Sequence, residues 1–326
     1  MNTKPIRLGT VGTGKIVHQL AAAARETEGV SLSLVYSRRE ESGRAFADAA
    51  GVRQVVTDFA AFLASPKIDA VYIASPNALH FEQAMAALRA GKHVLLEKPA
   101  TVTLAQYESL EAEASARGLV LLEAMRPLHD PMLPLIRRTL PRLGAIRRVH
   151  LEYCQYSSRY DRFKAGELPN AFNPALSNAA LMDIGVYPIA LLVALFGLPN
   201  SFSSRSLLLR GGFEGAGELI CEYDGMLAAI SYSKITDSAA PSVITGEGGS
   251  LVLDRVSTPR TLTLHLRGAS PERLPYVPQE NNMVHELCDF RDQIRGTPSR
   301  EPFSEYTRHA LRLIESVRER NGIRFH

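Results

Sequence analysis

The alternation of short apolar runs with helical patterns in the first 124 residues most limits how this chain can fold. Apolar runs recur at 6–12, 31–37, 69–75 and 93–98, and a helical pattern follows each of them. Parallel strands need such long crossover connections, because a tight hairpin joins only antiparallel neighbours. The pattern therefore predicts a doubly wound parallel sheet covered by helices, with ligands bound beyond the carboxyl ends of its strands.

The pattern changes after about residue 145. Residues 147–158 form a strand-like run, and short runs recur between turn signals from 201 to 266 without intervening helical patterns. This arrangement is typical of a largely antiparallel sheet. Two helical patterns, at about 281–296 and 303–320, close the chain.

The length of the chain favours two domains. Its 326 residues exceed what one ordinary hydrophobic core supports. We therefore predict a cofactor-binding domain in residues 1–124 and a substrate-binding and oligomerisation domain in residues 125–326. The second is expected to be an α+β domain with a large, mostly antiparallel open sheet, and its closing helices are able to pack back on the first domain.

Charge and apolar patterning argue against two classes of partner. The chain has 37 basic and 34 acidic residues, a net charge of +3 and no long run of like charge, so nucleic-acid binding is not predicted. The most apolar stretch, 184–198, contains Pro188 and is too short to cross a bilayer, so we predict a buried helix and no membrane partner.

Cysteine usage and the start of the chain bear on the compartment. Cys154, Cys221 and Cys288 are far apart and odd in number, which predicts neither a disulfide framework nor a metal site. The sequence begins without an apolar leader pattern. We therefore expect a cytoplasmic protein.

A glycine turn follows the first predicted strand. Glycines there let the backbone approach a pyrophosphate at the start of a helix, although a plain tight turn is the alternative. Val17 stands where the dinucleotide fingerprint usually has a third glycine or an alanine. The residues predicted to form this cradle are Gly12, Thr13, Gly14, Lys15 and Ile16.

The end of the second predicted strand bears on the choice of cofactor. NAD sites usually place a carboxylate there to bind the ribose 2′-hydroxyl, but this chain has Ser37 and Arg38. A hydroxyl and a guanidinium suit a 2′-phosphate, so NADP is predicted in preference to NAD. The alternative is that the arginine only faces solvent.

Four motifs in order resemble the Gfo/Idh/MocA family of nicotinamide-dependent oxidoreductases. The resemblance extends over nearly the whole chain and also includes GEGGSLVL at 246–253. It implies an N-terminal Rossmann domain and places the chain in a tyrosine-type branch similar to dihydrodiol and xylose dehydrogenases. The four motifs are GTVGTGKI (9–16), ASPNALH (74–80), LLEKPAT (95–101) and MDIGVYP (182–188).

The resemblance implies that Lys98 lies beside the nicotinamide ring and the reacting carbon. A lysine at the end of a central strand projects toward the ligand, and partial burial lowers an ammonium pKa toward the working range. Glu97 either orients Lys98 or binds ribose, and both roles stay open. The residues implied around the nicotinamide ribose are Ser75, Pro76, Asn77 and His80, of which Asn77 is nearly as well suited to cap the next helix.

The motif MDIGVYP supplies the second half of the implied site. If residues 180–196 are helical, Asp183 and Tyr187 project from one face, and Gly185 leaves room for a ligand between them. The resemblance implies that Asp183 binds a substrate hydroxyl and that Tyr187 exchanges its proton. The alternative is that Asp183 caps the helix while Tyr187 packs in the core. The roles of Arg126 and His129 stay open.

Together these features predict an NAD(P)-dependent oxidoreductase that transfers a hydride between nicotinamide and a sugar, polyol or related hydroxylated molecule. Two alternatives stay open, a nicotinamide-dependent glycoside hydrolase and a non-catalytic NADP-binding regulator. The resemblance also leads us to expect a homodimer, or a dimer of dimers, formed through the second-domain sheet.

Overall fold

The computed structural model of the protein describes residues 4–325, and the chain divides into two compact units. Unit 1 comprises the chain up to Arg126 together with Glu280–Arg308. Unit 2 comprises Pro127–Gln279 together with the C-terminal part that begins at His309.

Unit 1 is built on a six-stranded parallel sheet with the strand order β3-β2-β1-β4-β5-β6. The order reverses between β1 and β4, which is where such sheets bind ligands. The prediction of a doubly wound parallel sheet is confirmed. Its strands are β1 (Ile6–Val11), β2 (Val30–Tyr36), β3 (Val55–Val56), β4 (Ala70–Ile73), β5 (His93–Glu97) and β6 (Leu121–Ala124).

Helices follow these strands where the sequence provides start and stop signals. Asp58 accepts a hydrogen bond from the N–H of Ala61, Thr103 and Gln106 form a capping box, and Gly51 ends a helix in the left-handed conformation. The helices are α1 (Lys15–Glu26), α2 (Glu40–Ala50), α3 (Phe59–Ala64), α4 (His80–Arg89) and α5 (Leu104–Ala116).

Unit 2 contains an eight-stranded sheet with the order β14-β13-β12-β11-β7-β10-β9-β8. Its neighbours pair antiparallel except β7 and β10, which confirms a mostly antiparallel sheet. Its strands are β7 (Ile146–Cys154), β8 (Ser201–Leu208), β9 (Glu214–Tyr223), β10 (Met226–Ser233), β11 (Ser242–Gly246), β12 (Gly249–Leu253), β13 (Leu262–Leu266) and β14 (Glu272–Arg273).

Four α-helices lie between β6 and β8 along the chain. They are α6 (Arg126–His129), α7 (Met132–Thr139), α8 (Tyr160–Lys164) and α9 (Val186–Phe196), and the π-helical turn Leu181–Gly185 leads directly into α9. The helical segment Pro174–Phe196 has 23 residues, so it is long enough to cross a membrane by length and composition, contrary to the length argument from sequence. However, 78% of its apolar window is buried, as predicted for a core helix.

The chain closes with α10 (Met283–Ile294) and α11 (Phe303–Asn321). Within unit 1, α10 packs against α1, and the side-chain amide of Asn281 donates to the main-chain oxygen of Gln19 at 2.7 Å. The first part of α11 belongs to unit 1 and the rest to unit 2.

Candidate active site

The turn between β1 and α1 fits the predicted dinucleotide cradle. Gly12 has φ +111°, and a Cβ added there would lie 2.8 Å from the main-chain oxygen of Ala74, so glycine is required. Gly14 is the N-cap of α1, and a Cβ added to it would meet no atom within 4 Å. This open space and the N–H groups of Lys15 and Ile16 at the start of α1 suit a pyrophosphate. Thr13 lies between the two glycines.

The loop after β2 is shaped by Ser37. The Ser37 side chain is buried, and its hydroxyl donates to the main-chain oxygen of Arg39 at 2.8 Å. The neighbouring Arg38 is exposed. Of the two residues predicted to contact the cofactor here, Ser37 therefore fixes the loop and Arg38 presents its guanidinium at the surface.

His80 joins the loops that follow β4 and β5. Its ring is buried, with Nδ1 3.0 Å from the main-chain oxygen of Pro99 and Nε2 3.0 Å from that of Ser75. Burial lowers the pKa of His80, which favours the neutral ring. A neutral ring has a single N–H, so His80 donates to one of these two carbonyl oxygens and lies against the other.

Asn77 does not occupy the N-cap position of α4, as that alternative required. It is the first residue of the 3₁₀ turn Asn77–Leu79, whose N-cap is Pro76, and Leu79 in turn precedes α4. Asn77 therefore lies directly beyond the carboxyl end of β4, between the loop residues Ser75 and Pro76 and the helix.

Glu97 is held by its own surroundings at the end of β5. The hydroxyl of Tyr72 donates to Glu97 Oε1 at 2.5 Å, and the N–H of Lys98 donates to Oε2 at 3.2 Å. Burial raises the pKa of Glu97, while the positive charge of Lys98 opposes the rise. Of the two roles left open, these contacts favour orientation of the Lys98 segment.

Two further buried glutamates lie near this turn and were missed from the sequence. Glu123 on β6 accepts from the N–H of Ala100 at 2.7 Å and from the hydroxyl of Thr307 at 2.8 Å. Burial raises the pKa of Glu123 to about 7. Glu286 on α10 is also buried, and burial and the charge of Glu97 raise its pKa. An acidic residue inside the apolar run LVLLEA was a signal for Glu123 that we did not use.

In unit 2, Asp183 and Tyr187 lie on the π-helical turn and the first turn of α9. Both side chains are half-buried, whereas the intervening residues 184–186 are buried. This burial pattern places the two side chains on one side of the segment, as predicted, although the backbone is not a continuous α-helix. π-Helical turns inside α-helices are frequent at functional sites. The ring of Tyr187 contacts that of Tyr153, with 5.5 Å between centroids.

Asp183 is paired with a lysine that the sequence did not reveal. Lys234 Nζ lies 2.7 Å from Asp183 Oδ2, and the lysine side chain is only 3% exposed while that of Asp183 is 40% exposed. Asp183 therefore does not serve as a helix cap: the N-cap of the π-helical turn is Ala180. A lone lysine after a strand gives no sequence signal of this burial.

The expectation that Gly185 leaves room for a ligand is wrong. A Cβ added to Gly185 would lie 3.0 Å from the ring of Tyr232, and one added to Gly217 would lie 2.1 Å from the Tyr232 hydroxyl oxygen. The two glycines therefore make room for a buried tyrosine.

Glu214 secures the start of the π-helical turn. Its Oε2 accepts from the N–H of Leu181 at 2.8 Å, and its Oε1 accepts from the hydroxyl of Ser206 at 3.1 Å. Glu214 is buried, and burial raises its pKa to about 7.

A cavity of about 360 Å³ opens at the end of β7, bordered by the loops that follow β10 and β12. Tyr153 lines it and links it to Tyr187. Its lining contains three carboxylate residues and one arginine, namely Glu152, Asp237, Asp254 and Arg255. The cavity is therefore polar and acidic.

Arg126 and His129 belong to different units and have different surroundings. The guanidinium of Arg126 donates to the side-chain oxygen of Gln19 on α1 at 2.5 Å. His129 is 1% exposed and belongs to unit 2. Burial identifies His129 as part of the interior of its unit.

Two domain models of one known family match the two halves of the chain. Residues 6–125 match the model of an oxidoreductase family with an NAD-binding Rossmann fold, GFO/IDH/MocA, and residues 141–252 match the C-terminal domain of the same family. The chain is 38% identical over 320 residues to the scyllo-inositol 2-dehydrogenase (NADP(+)) IolU of Bacillus subtilis, with 98% of each chain covered. The protein belongs to the Gfo/Idh/MocA family. The resemblance read from the motifs is confirmed.

Other Gfo/Idh/MocA relatives act on sugars. A dTDP-3,4-didehydro-2,6-dideoxy-alpha-D-glucose 3-reductase of Actinomadura kijaniata is 27% identical, with 97% of this chain and 96% of the relative covered. The crystal structure of KijD10, a 3-ketoreductase of the same organism in complex with NADP and TDP-benzene, matches with a TM-score of 0.86 at 25% identity, covering 97% and 98% of the two chains.

As a Gfo/Idh/MocA oxidoreductase, the protein is an NAD(P)-dependent enzyme that acts on CH–OH groups of sugar-like molecules. Unit 1 presents a pyrophosphate cradle and a lysine at a strand end. Unit 2 presents a carboxylate and a phenol on one side of a helical segment. Such groups can bind a hydroxylated carbon, polarise its oxygen and move its proton.

Proposed function

We propose that the protein catalyses NADP-dependent oxidation of a neutral polyol or free sugar, or the reverse reduction. This proposal depends on the pairing of Asp183 with Lys234. Asp183 precedes Tyr187 by four residues, and residues 184–186 between them are buried. A fixed carboxylate next to a phenol is suited to bind one hydroxyl while a proton is exchanged with another.

Each side chain has a distinct part in the proposed reaction. The ammonium of Lys98 polarises the reacting oxygen. Tyr187 takes up or returns the hydroxyl proton, and Asp183 accepts a hydrogen bond from a neighbouring hydroxyl. The bound nicotinamide supplies the hydride chemistry. Residues 1–124 belong to the proposed cofactor domain and residues 125–326 supply the proposed substrate domain, apart from Glu280–Arg308, which pack in unit 1.

NADP is the proposed cofactor because Arg38 is exposed beside a loop that Ser37 fixes. A guanidinium at this position favours a 2′-phosphate, and β2 ends without a carboxylate that would repel it. The names of the scyllo-inositol and xylose dehydrogenase relatives specify NADP(+).

A neutral substrate is proposed because the cavity beside Tyr153 is acidic. Glu152, Asp237 and Asp254 outnumber Arg255 in its lining. These carboxylates would repel the diphosphate of a nucleotide sugar but can accept hydrogen bonds from hydroxyl groups. The relative named for scyllo-inositol therefore offers a better guide to the substrate than the relatives named for dTDP-sugars.

A substrate panel tests the proposal. The purified protein would be assayed with NADP and NAD against inositols, free aldoses and dTDP-sugars, with absorbance of the reduced cofactor as the readout. We expect turnover with a neutral polyol or sugar and a preference for NADP. Release of sugar from glycosides without net cofactor reduction would indicate a hydrolase, and NADPH binding without any turnover would indicate a regulator.

Substitution of Lys98 tests the assigned chemistry. Lys98→Ala is expected to lower kcat by at least about 100-fold, the usual contribution of a proton-transfer or electrostatic group, while NADPH binding measured by fluorescence is largely kept. Lys67→Ala, which removes an exposed lysine of the same unit, is the control. Near-normal turnover in Lys98→Ala would contradict the proposed role.

The sheet of unit 2 is the proposed contact between two copies of this chain. Ile220 on β9 and Leu227 on β10 are 48% and 54% exposed, and their neighbours in sequence Leu219 and Ala228 are buried. The exposed side of these strands therefore combines apolar side chains with the carboxylates of Glu218 and Glu222, and the proposal is that the same surface of a second copy covers the apolar ones. A cytoplasmic location is also part of the proposal.

Light scattering after gel filtration tests this contact. We expect the mass of a dimer, or of a dimer of dimers, and half of that mass for the double variant Ile220→Lys/Leu227→Glu. A wild-type protein that is monomeric at micromolar concentration would contradict it.

A further inference from the structure

Lys234 directly follows β10 and is held by main-chain contacts on two sides. Its N–H donates to the main-chain oxygen of Gly215 at 2.9 Å, and its own main-chain oxygen accepts from the N–H of Ser157 at 2.9 Å. The hydroxyl of Ser233 accepts from the N–H groups of Ile235 and Thr236, which closes the following turn. The backbone of Lys234 is therefore fixed.

The side chain of Lys234 runs into an aromatic cluster. Nζ lies 5.2 Å from the ring centroid of Phe172 and 5.7 Å from that of Phe213, and it donates to the main-chain oxygen of Ala171 at 2.9 Å. Both rings are buried and, with Phe163, form one apolar cluster. Aromatic faces and a carbonyl oxygen stabilise an ammonium but do not neutralise it.

The counter-charge is Asp183. A buried ammonium requires an anionic partner, because the desolvation of an unpaired charge costs several kcal/mol. Asp183 Oδ2 lies 2.7 Å from Nζ, and the carboxylate is the exposed member of the pair. Lys234 thus supports the carboxylate from the interior, and the carboxylate faces outward.

We propose that Lys234 is a positioning residue that keeps Asp183 ionised and fixes its orientation toward a substrate hydroxyl. The inference rests on the function proposed for Asp183. The lysine reaches Asp183 from the end of β10, whereas Glu214 on β9 holds the main chain of Leu181 two residues earlier. Lys234, at the end of β10, therefore orients the side chain of Asp183. Glu214, on the neighbouring strand β9, holds the main chain just before Asp183.

A purely structural lysine would have different consequences. If Lys234 only filled the aromatic cluster, its loss would lower stability without changing the pH dependence of substrate binding. If it supports Asp183, its loss makes the carboxylate easier to protonate, since an adjacent positive charge lowers a carboxyl pKa. The acid limb of kcat/KM would then move to higher pH.

The test compares Lys234→Met, Asp183→Asn and the double variant, with a neutral polyol as substrate. We expect each single variant to lower kcat/KM by about 10- to 100-fold, the usual effect of losing a charged hydrogen bond to substrate, mainly through KM. The double variant should be no worse than Asp183→Asn alone, because both changes remove one interaction. NADPH binding, which depends on unit 1, should be unchanged.

The pH profile supplies the second readout. In Lys234→Met the acid limb of kcat/KM should move up by about one pH unit, and in Lys234→Arg it should stay near the wild-type position. Lys164→Met is the matched control, because Lys164 also pairs with an aspartate and contacts aromatic rings but is 51% exposed. Its profile should equal that of the wild type.

The outcomes separate the inference from the proposed function. Activity of the wild type with loss in Asp183→Asn but not in Lys234→Met overturns the inference and leaves the function standing. Fully multiplicative effects in the double variant also overturn it. If Lys234→Met does not fold, the acid limb of Lys234→Gln, which keeps a donor for Ala171, decides in the same way. A wild type inactive with every polyol overturns both.

Discussion

The two units secure their functional segments with the same device, a buried glutamate that accepts a main-chain N–H. In unit 1, Glu123 on β6 holds the N–H of Ala100, two residues after Lys98. In unit 2, Glu214 on β9 holds the N–H of Leu181, two residues before Asp183. In both units the functional side chain belongs to a segment anchored near one edge of its own sheet, to the edge strand β6 in unit 1 and to β9, the neighbour of the edge strand β8, in unit 2.

The units differ in what satisfies the second carboxyl oxygen. Glu123 accepts from the hydroxyl of Thr307. Thr307 lies on the part of α11 that belongs to unit 1, although it is 184 positions away in the sequence. Glu214 accepts from Ser206 on β8, which is adjacent to β9 in the sheet. The anchor of the Lys98 turn therefore contacts the C-terminal helix α11 directly, whereas the anchor of the Asp183 turn reaches α11 only through Ser206, which accepts from Asn321. The lysine turn should be the easier of the two to disturb from a distance.

Removal of either carboxyl is the largest change that tests this comparison. Glu123→Ala and Glu214→Ala each leave a buried N–H without its acceptor and a cavity, which should lower the free energy of unfolding by about 2–4 kcal/mol. Chemical denaturation would measure the loss, and kcat should fall in both variants. Glu108→Ala and Glu247→Ala, at exposed positions of the two units, are controls. A loss below about 0.5 kcal/mol, the usual range for surface substitutions, would contradict the anchoring role.

The pH dependence of stability is the next expected effect. The pKa of each glutamate is raised from 4.5 to about 7, so the folded state binds its proton more tightly than the unfolded state. The resulting stability is present at acid pH and is lost as pH rises from about 4.5 to about 7. Since one pKa unit corresponds to about 1.4 kcal/mol, each glutamate contributes up to about 3 kcal/mol to this loss.

Glutamine variants isolate that contribution. Glu123→Gln and Glu214→Gln keep an acceptor for the main-chain N–H and cannot ionise. Their unfolding midpoints, followed by differential scanning fluorimetry between pH 5 and pH 8, should fall less steeply than that of the wild type. Equal slopes for a variant and the wild type would mean that the corresponding carboxyl titrates near its ordinary pKa in the folded protein.

The sequence predicted the parts of this arrangement that depend on local pattern. The alternation of apolar and helical segments predicted the order of strands and helices in the first 124 residues. Gly12 and Gly14 indicated the pyrophosphate cradle, because a positive φ and open space before a helix are local requirements. The change to short runs after residue 145 indicated the second, mostly antiparallel sheet. Asp183 and Tyr187 were recognised from their motif and their spacing.

The features that were missed depend on contacts between residues distant in sequence. Lys234 meets Asp183 across 51 positions of the chain, and a single lysine in YSKIT gives no sign of burial. The π-helical turn and the use of Gly185 to admit Tyr232 depend on the packing of a strand against the helix. No local pattern encodes such a contact, whereas Glu123 within an apolar strand could have been recognised from the expense of burying a charge.

The smallest expected effect concerns the two hydroxyls that complete the anchors. Thr307→Val and Ser206→Ala each remove one hydrogen bond to a buried carboxyl, which should lower the free energy of unfolding by about 0.5–1.5 kcal/mol. Their effects on catalysis should differ. Thr307→Val keeps the Ala100 contact with Glu123 but removes the direct contact of that carboxyl with α11 beside the Lys98 turn, so kcat should fall modestly while KM for the polyol changes little. Ser206→Ala leaves the Leu181 contact with Glu214 in place, and Ser206 also accepts from the side-chain amide of Asn321, so its effect should be mainly on stability. Steady-state kinetics of the two variants at one pH would measure this difference. Equal losses of kcat would mean that the contact of Thr307 on α11 with Glu123 does not affect the Lys98 turn more than Ser206 affects the Asp183 turn.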